Sequence, residues 1–253
     1  RDSFQKVFQI ANAVAPARSP KTILQNVKLD VSKDKVILTA TDMEVGVRLL
    51  VPDVEVDSTG TAVLPVTRLS MILRESTDEM LEIDANTEKI LVTGKASRFE
   101  LQGQNPDEFP EVRDFDASDY FEVQSGVLKE LIRRTLFATD AESSRYALGG
   151  VLIEMDGKTI TAVGTDGRRL AKMAGQLTVV GNPSTDDITT IVPSRSMQLM
   201  ERILPDGDVT IQLAARPNDL LIKDPNGIFY TRLVEGRFPK WRDVLPERSE
   251  SNR

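Results

Sequence analysis

The sequence predicts an α+β protein built from two similar domains, and three observations carry this prediction. Residues 36–49 resemble residues 160–173, because each stretch places Thr-Asp at the end of an apolar strand pattern. Residues 62–73 resemble 190–200 around a central proline, and Glu108-Phe109-Pro110 resembles Arg237-Phe238-Pro239. The three landmarks recur in the same order at offsets of 124, 128 and 129 residues. A nearly constant offset of this length indicates a duplicated domain.

Each unit is predicted to contain two amphipathic helices that cover one side of curved antiparallel sheets. In the first unit the helices are 3–14, with Ser3 as the cap, and 66–75. Its strands are 27–31, 36–40, 45–51, 62–64, 81–84, 90–93 and 99–102. Residues 105–118 are polar and contain two prolines, which is typical of a linker.

The second unit repeats this order after an additional strand at residues 120–124. Its helices are predicted at 126–138 and 194–204, and its later strands at 209–213, 220–223 and 229–233. Asp166-Gly167 is a signal for a two-residue hairpin turn. Because the first unit lacks the additional strand, we expect a few residues of the parent protein to precede Arg1.

The composition excludes several classes of function. The chain has no Cys and no His, which removes thiol catalysis, His-based triads and most zinc sites. Neither a metal nor a cofactor is expected. No apolar run approaches the ~18 residues of a membrane helix, and no signal peptide is visible, so a cytoplasmic location is the simplest interpretation.

Positive charge is concentrated in the four predicted helices, although the chain carries a net charge of −7. These helices contain eight basic and three acidic residues, whereas the rest of the chain contains 24 basic and 36 acidic residues. The basic ones are Lys6, Arg68, Arg74, Lys129, Arg133, Arg134, Arg195 and Arg202. One interpretation is a set of solvated helix faces. The functional one is a helical layer that faces a polyanion without reading its sequence.

The sequence resembles the bacterial DNA polymerase III beta subunit family, the sliding clamps. The strongest matches are Arg145-Tyr146-Ala147-Leu148-Gly149-Gly150, Thr165-Asp166-Gly167-Arg168-Arg169-Leu170 and Gly236-Arg237-Phe238-Pro239. The resemblance implies duplicated DNA-clamp domains, with residues 1–116 as the first and 117–245 as the second. It also implies that residues 246–253 begin a linker to a third domain. Two such three-domain chains form a ring, so a chain with only two domains is not expected to close one.

The resemblance implies that the helices line a central hole through which duplex DNA passes. The residues expected to face DNA are Lys6, Arg18, Arg68, Arg74, Lys129, Arg133, Arg134 and Arg202. Arg18 falls in a loop that contacts DNA in the family. Glu142 stands where the best-known relatives have a polar residue that faces DNA, so it departs from the pattern.

The resemblance also implies a pocket for a short partner peptide that carries a Gln, an aliphatic residue and a terminal Leu-Phe. The residues carried into this pocket are Arg145, Ala147, Leu148, Thr165, Gly167, Arg168, Arg169, Leu170, Pro239 and Val244. Leu148, Leu170, Pro239 and Val244 are expected to form an apolar dent flanked by Arg145, Arg169 and Trp241. Asp243 replaces a common basic residue, and Trp241 replaces a frequent Tyr.

The implied function is therefore a non-catalytic processivity factor that tethers the polymerase to DNA. Its expected partners are double-stranded DNA, the polymerase III alpha subunit, the clamp loader, other clamp-binding polymerases and repair proteins. The alternative is a repeat scaffold that binds proteins but not DNA. A hydrolase using Asp42 and Asp166 is a weaker alternative, because turn formation explains both residues.

Overall fold

The computed structural model describes residues 1–140, 146–183 and 188–245. The chain divides into two compact units. The first comprises Arg1–Asp116 and Leu221–Thr231, and the second comprises Ala117–Leu220 and Arg232–Arg253. Compactness and sequence repetition are different criteria, so the domain bounds 1–116, 117–245 and 246–253 stay a prediction. No helix within the described residues is long and apolar enough to cross a membrane.

The first unit contains two helices, α1 (Asp2–Val14) and α2 (Val66–Glu75), which pack against each other. Helix α1 buries Phe8, Ala11 and Val14, whose spacing of three residues places them on one face. This face lies on the neighbouring sheet. Helix α1 begins at Asp2 and no side chain caps it, so the prediction of Ser3 as the cap was wrong. The Ser3 hydroxyl instead donates to Asp53.

The strands of the first unit form two antiparallel sheets. They are β1 (Asn26–Val31), β2 (Val36–Thr41), β3 (Val45–Leu50), β4 (Gly60–Pro65), β5 (Glu82–Ala85), β6 (Lys89–Thr93) and β7 (Arg98–Gln102). Four of them pair in the order β3-β2-β1-β4, and the other three form a separate sheet in the order β5-β6-β7.

The second unit repeats this plan with helices α3 (Ser125–Thr135) and α4 (Ser194–Ile203), which also pack against each other. Its strands are β8 (Tyr120–Gln124), β9 (Gly150–Asp156), β10 (Thr159–Thr165), β11 (Leu170–Gln176), β12 (Thr178–Val180), β13 (Thr190–Pro193) and β14 (Thr210–Ala215). Strands β15 (Asp219–Asp224) and β16 (Gly227–Arg232) follow in the chain; residues 221–231 belong to the first unit, in which β16 pairs with β3.

One run of four strands has the same topology in both units. The order β11-β10-β9-β13 repeats the order β3-β2-β1-β4, with the same antiparallel pairing throughout. In both units the fourth strand ends at a proline, Pro65 or Pro193, and a helix starts at the next residue. The prediction of a duplicated α+β unit is therefore confirmed.

The segment 105–118 is packed rather than a loose linker. Asn105 caps a short 3-10 helix, Pro106–Glu108, by accepting a 3.1 Å hydrogen bond from the backbone of Asp107. Phe109 and Val112 then insert into the first unit and are buried. The polar composition concealed these two apolar contacts, but the boundary between the two units still falls within this segment, between Asp116 and Ala117.

Candidate functional site

The turn between β10 and β11 carries exposed residues of the predicted peptide site. It spans four residues, 166–169, rather than the two predicted. The Asp166 carboxylate accepts hydrogen bonds of 2.9 Å from the backbone N–H groups of both Arg168 and Arg169. The Thr165 hydroxyl accepts from Gly167 N–H and donates to the carbonyl of Arg169. These two side chains bond the backbone across the turn and widen it beyond a two-residue hairpin.

The first unit contains the same turn. The Thr41 hydroxyl accepts from Met43 N–H and donates to the Val45 carbonyl, and Asp42 accepts from the N–H groups of Glu44 and Val45. Met43 has a φ of 80° where Gly167 has 84°. The shared geometry extends the duplication to individual hydrogen bonds and explains why Thr-Asp recurs.

An apolar cluster lies under the second turn. Its buried members are Leu152, Val163, Ile191, Phe238 and Trp241, and the half-buried Ala147 and Leu170 pack against it. The cluster joins residues that are far apart in the sequence. Leu170, the first residue of β11, thereby packs against a cluster that includes Phe238 and Trp241, the neighbours of Pro239. A shallow apolar surface of this kind can accept hydrophobic side chains of a peptide.

The structure brings together only some of the residues predicted to form an apolar surface for the peptide. Ala147 and Leu170 belong to the cluster, whereas Leu148 is half-buried outside it and Val244 is 69% exposed. Pro239, Gly167, Arg168 and Arg169 are exposed, and Thr165 is buried within the turn. Trp241 lies beneath this surface, at 5% exposure, rather than at its flank. Arg145 lies outside the described residues, and the role of this set stays a prediction.

The equivalent place in the first unit is closed. Gly46 takes the position of Leu170, and Val112 takes the position of Trp241. A Cβ on Gly46 would stand only 2.8 Å from a methyl carbon of Val112. In the first unit the Val112 side chain therefore occupies the space next to this position. In the second unit the same position carries the half-buried Leu170.

Arg169 is held in place by three contacts. Its Nε lies 3.0 Å from the Asp166 carboxylate, its Nη2 donates to the Phe137 carbonyl at 2.8 Å, and its guanidinium stacks 5.7 Å from the Phe137 ring centroid. The hydrogen bonds from Arg168 and Arg169 N–H, followed by the Arg169 charge, lower the pKa of Asp166 below its usual range. The turn thus presents a positioned cation beside Leu170.

A second group of charges surrounds Trp241. Arg242 binds Glu154 through two hydrogen bonds of 2.7 and 3.0 Å, and Trp241 Nε1 lies 3.4 Å from the same carboxylate. The Arg242 guanidinium carbon and Lys172 Nζ lie 4.2 and 5.0 Å from the Trp241 ring centroid. These residues, except Lys172, also border a cavity of about 790 Å³ with both charge signs in its lining. Sequence reasoning missed Glu154.

The predicted DNA-facing residues are mostly exposed. Helices α1 to α4 bury their apolar faces and expose seven of their eight basic residues. Lys129 is the exception, because it is buried and its ammonium pairs with Asp206. Arg18 is exposed in the loop after α1, whereas Glu142 lies outside the described residues.

Three of the exposed cations form ion pairs on the helix surfaces. Arg74 pairs with Glu75, Arg133 with Glu201 and Arg134 with Glu130, at 2.7–2.8 Å. Exposed pairs of this kind are worth at most about 1 kcal/mol and are screened by salt. A polyanion can therefore compete for these arginines at low cost. Lys6, Arg68 and Arg202 are exposed on the same helices.

The chemistry of the two turns argues against a hydrolytic site. The Asp166 carboxylate accepts three hydrogen bonds that maintain the turn. Its lowered pKa keeps it ionised at neutral pH, so it cannot serve as a general acid there. Asp42 performs the same structural task in its own turn. Turn formation explains both residues.

The duplicated two-helix unit, with apolar helix faces buried and basic residues exposed, defines a DNA-clamp protein. Two family models match the chain: the DNA polymerase III beta subunit N-terminal domain over residues 1–113 and its central domain over residues 122–240. The chain belongs to the family of bacterial DNA polymerase III beta subunits, the beta sliding clamps. As a member it is a non-catalytic processivity factor.

Relatives of known name agree with this membership. The beta sliding clamp of Chlamydia muridarum is 30% identical over 98% of this chain and 67% of its own length. That of Pseudomonas aeruginosa is 30% identical over 97% and 66%. The crystal structure of the P. aeruginosa DnaN sliding clamp bound to griselimycin has a TM-score of 0.90 at 29% identity, covering 98% of this chain and 67% of that one. The chain thus spans about two thirds of the length of these relatives.

Proposed function

We propose that this chain supplies two domains of a ring-shaped sliding clamp, a homodimer that encircles duplex DNA and tethers the replicative polymerase to it. The observation that carries this proposal is the exposure of seven basic residues on the same four helices that cover the sheets. These helices supply phosphate attraction without base-reading chemistry, which suits a protein that slides. We propose a cytoplasmic location, where replication takes place in bacteria.

The second part of the proposal concerns proteins that bind the turn of the second unit. Its proposed partners are the polymerase III alpha subunit, the clamp loader, other clamp-binding polymerases and repair proteins. Each would present a short peptide with two adjacent hydrophobic anchors to the surface around Leu170. Burial of one Leu or Phe side chain contributes roughly 1.5–3 kcal/mol. Burial of two anchors would therefore supply most of the binding free energy, and the entropy lost in ordering the peptide would offset part of it.

The DNA proposal can be tested with a matched pair of triple variants. Lys6→Gln, Arg68→Gln and Arg202→Gln remove three exposed helix charges, whereas Lys33→Gln, Lys35→Gln and Lys95→Gln remove three exposed loop charges. Each phosphate contact contributes about −0.9 to the slope of log K against log salt. Fluorescence anisotropy with a short duplex should show a slope reduced by up to about 2.7 for the helix variant alone. Equal losses in both variants would mean that net charge, and not the helix layer, governs binding.

The peptide proposal can be tested with Leu170→Asp. A charge in place of the half-buried Leu170 should abolish binding of a Gln-Leu-x-Leu-Phe-type peptide measured by calorimetry. Leu50→Asp is the matched control, because Leu50 is 42% exposed in the first unit. It should leave the affinity unchanged. Intact peptide binding in Leu170→Asp would show that Leu170 is only a packing residue. Peptide binding by a chain with no DNA affinity would instead favour the scaffold alternative.

A further inference from the structure

Trp241 is buried beneath the predicted peptide site. Its ring packs in the buried cluster on which Leu170 and Ala147 rest. It also borders two cations, Lys172 from β11 and Arg242 from its own segment. Cations near an indole face are attracted to it, but they repel each other. A nearby negative charge offsets that repulsion.

Glu154 supplies that charge from the neighbouring strand β9. It accepts two hydrogen bonds from Arg242, a bidentate geometry that fixes both position and orientation. Its carboxylate also lies 3.4 Å from the Trp241 N–H. One carboxylate thus holds both the indole and the cation that stacks on it, and this arrangement ties the 3-10 turn Trp241–Val244 to the sheet.

We propose that Glu154 is a positioning residue for the peptide site, acting through Arg242 and Trp241 rather than through contact with the peptide. This inference rests on the proposed peptide-binding function. Pro239 precedes Trp241 by two residues and Val244 ends its turn, so a fixed Trp241 fixes the segment that carries both predicted contacts. The buried cluster that contains Trp241 also packs against Leu170. Loss of Glu154 would loosen the segment and the support together.

The single tryptophan of this chain makes the proposal measurable, because Trp241 is the only source of indole fluorescence. A peptide without Trp or Tyr should change the emission of Trp241 when it binds. Glu154→Gln and Arg242→Gln should each shift the emission of the free chain. Both should weaken peptide binding about threefold, the scale expected of one exposed bidentate ion pair. The double variant should be no weaker than either single one, because both remove the same interaction.

Exchanging the two charges distinguishes a positioning role of Glu154 from a general effect on the stability of the fold. The variant with Glu154→Arg and Arg242→Glu should restore both the affinity and the emission spectrum toward those of the unchanged chain. Asp208→Asn removes an exposed carboxylate elsewhere in the same unit and should alter neither. At 1 M salt the effect of Glu154→Gln should shrink, because exposed ion pairs are screened.

The outcomes distinguish this inference from the proposed function. If the unchanged chain binds the peptide and Glu154→Gln binds it equally well, the positioning role is refuted and the peptide-binding function stands. If the swapped pair is as weak as the single variants, Glu154 and Arg242 do not act as a pair and the inference fails. If the unchanged chain does not bind the peptide by calorimetry, the proposed function itself is refuted.

Discussion

Replacement of Gly167 by alanine tests whether the turn beside Leu170 requires a left-handed backbone. Gly167 has a φ of 84°, a region that costs a residue with a side chain about 1–2 kcal/mol. No heavy atom lies within 4 Å of the position that its Cβ would take. The penalty therefore comes from the backbone alone, without a steric clash.

The net loss of stability should be smaller than the full penalty. Alanine restricts the unfolded chain more than glycine does, which stabilises the folded state by about 0.4–1 kcal/mol. We therefore expect Gly167→Ala to lower the free energy of unfolding by about 1 kcal/mol. For a chain of this size, such a loss lowers the melting temperature by about 2–4 °C, which circular dichroism can resolve.

Two further substitutions serve as controls. Gly60 also has open space around its Cβ position, but its φ lies outside the left-handed region. Gly60→Ala should therefore leave the melting temperature unchanged or raise it. Met43 occupies the equivalent turn position in the first unit with a φ of 80°, so Met43→Gly should not destabilise the chain. A loss at Gly60 equal to that at Gly167, or no loss at Gly167, would refute this reasoning.

Three other predictions follow from the packing and charges. Gly46→Ala should destabilise the first unit by about 1–3 kcal/mol in chemical denaturation, because its Cβ meets Val112 at 2.8 Å, and adding Val112→Ala should recover most of the loss. Asp166→Asn should lower the melting temperature at pH 7, and this loss should shrink as the solution is acidified. The folded-state pKa of Asp166 is lowered by the N–H groups of Arg168 and Arg169, so its contribution exists above the unfolded value of about 3.9 and disappears as the pH falls through the folded one. Lys129→Met should leave the DNA affinity unchanged, since the side chain is buried; a loss equal to that of an exposed helix cation would contradict this burial.

Most helices and strands could be predicted from periodicity alone. The predicted helix 66–75 and strand 120–124 coincide with α2 and β8, because apolar residues recur along them at helical or alternating spacing. The 3-10 helix Thr22–Gln25 and the strand Thr178–Val180 were missed, since three or four residues are too few to show a period. The predicted helix 126–138 loses its last turn to a 3-10 helix, Leu136–Ala138.

In the candidate site, residues that act through local contacts could be predicted from the sequence, whereas residues that act through distant contacts could not. The turn residues could be predicted because Thr165, Asp166 and Gly167 act on their immediate neighbours. Glu154 could not be predicted, because its partner Arg242 lies 88 residues further along the chain. The burial of Lys129 was hidden for a similar reason, since its partner Asp206 is 77 residues away.

The most direct test of the account is retention on DNA of the complete clamp subunit that carries this chain. After loading onto nicked circular duplex, a ring remains bound through gel filtration at high salt and is released when the circle is cut. The account predicts this behaviour on any DNA sequence. It also predicts less efficient loading at low salt when Lys6, Arg68 and Arg202 are neutralised together, because the helices then lose three phosphate contacts. Equal retention on cut and uncut DNA would contradict encirclement, and loading unaffected by the three substitutions would contradict the assignment of the helix faces.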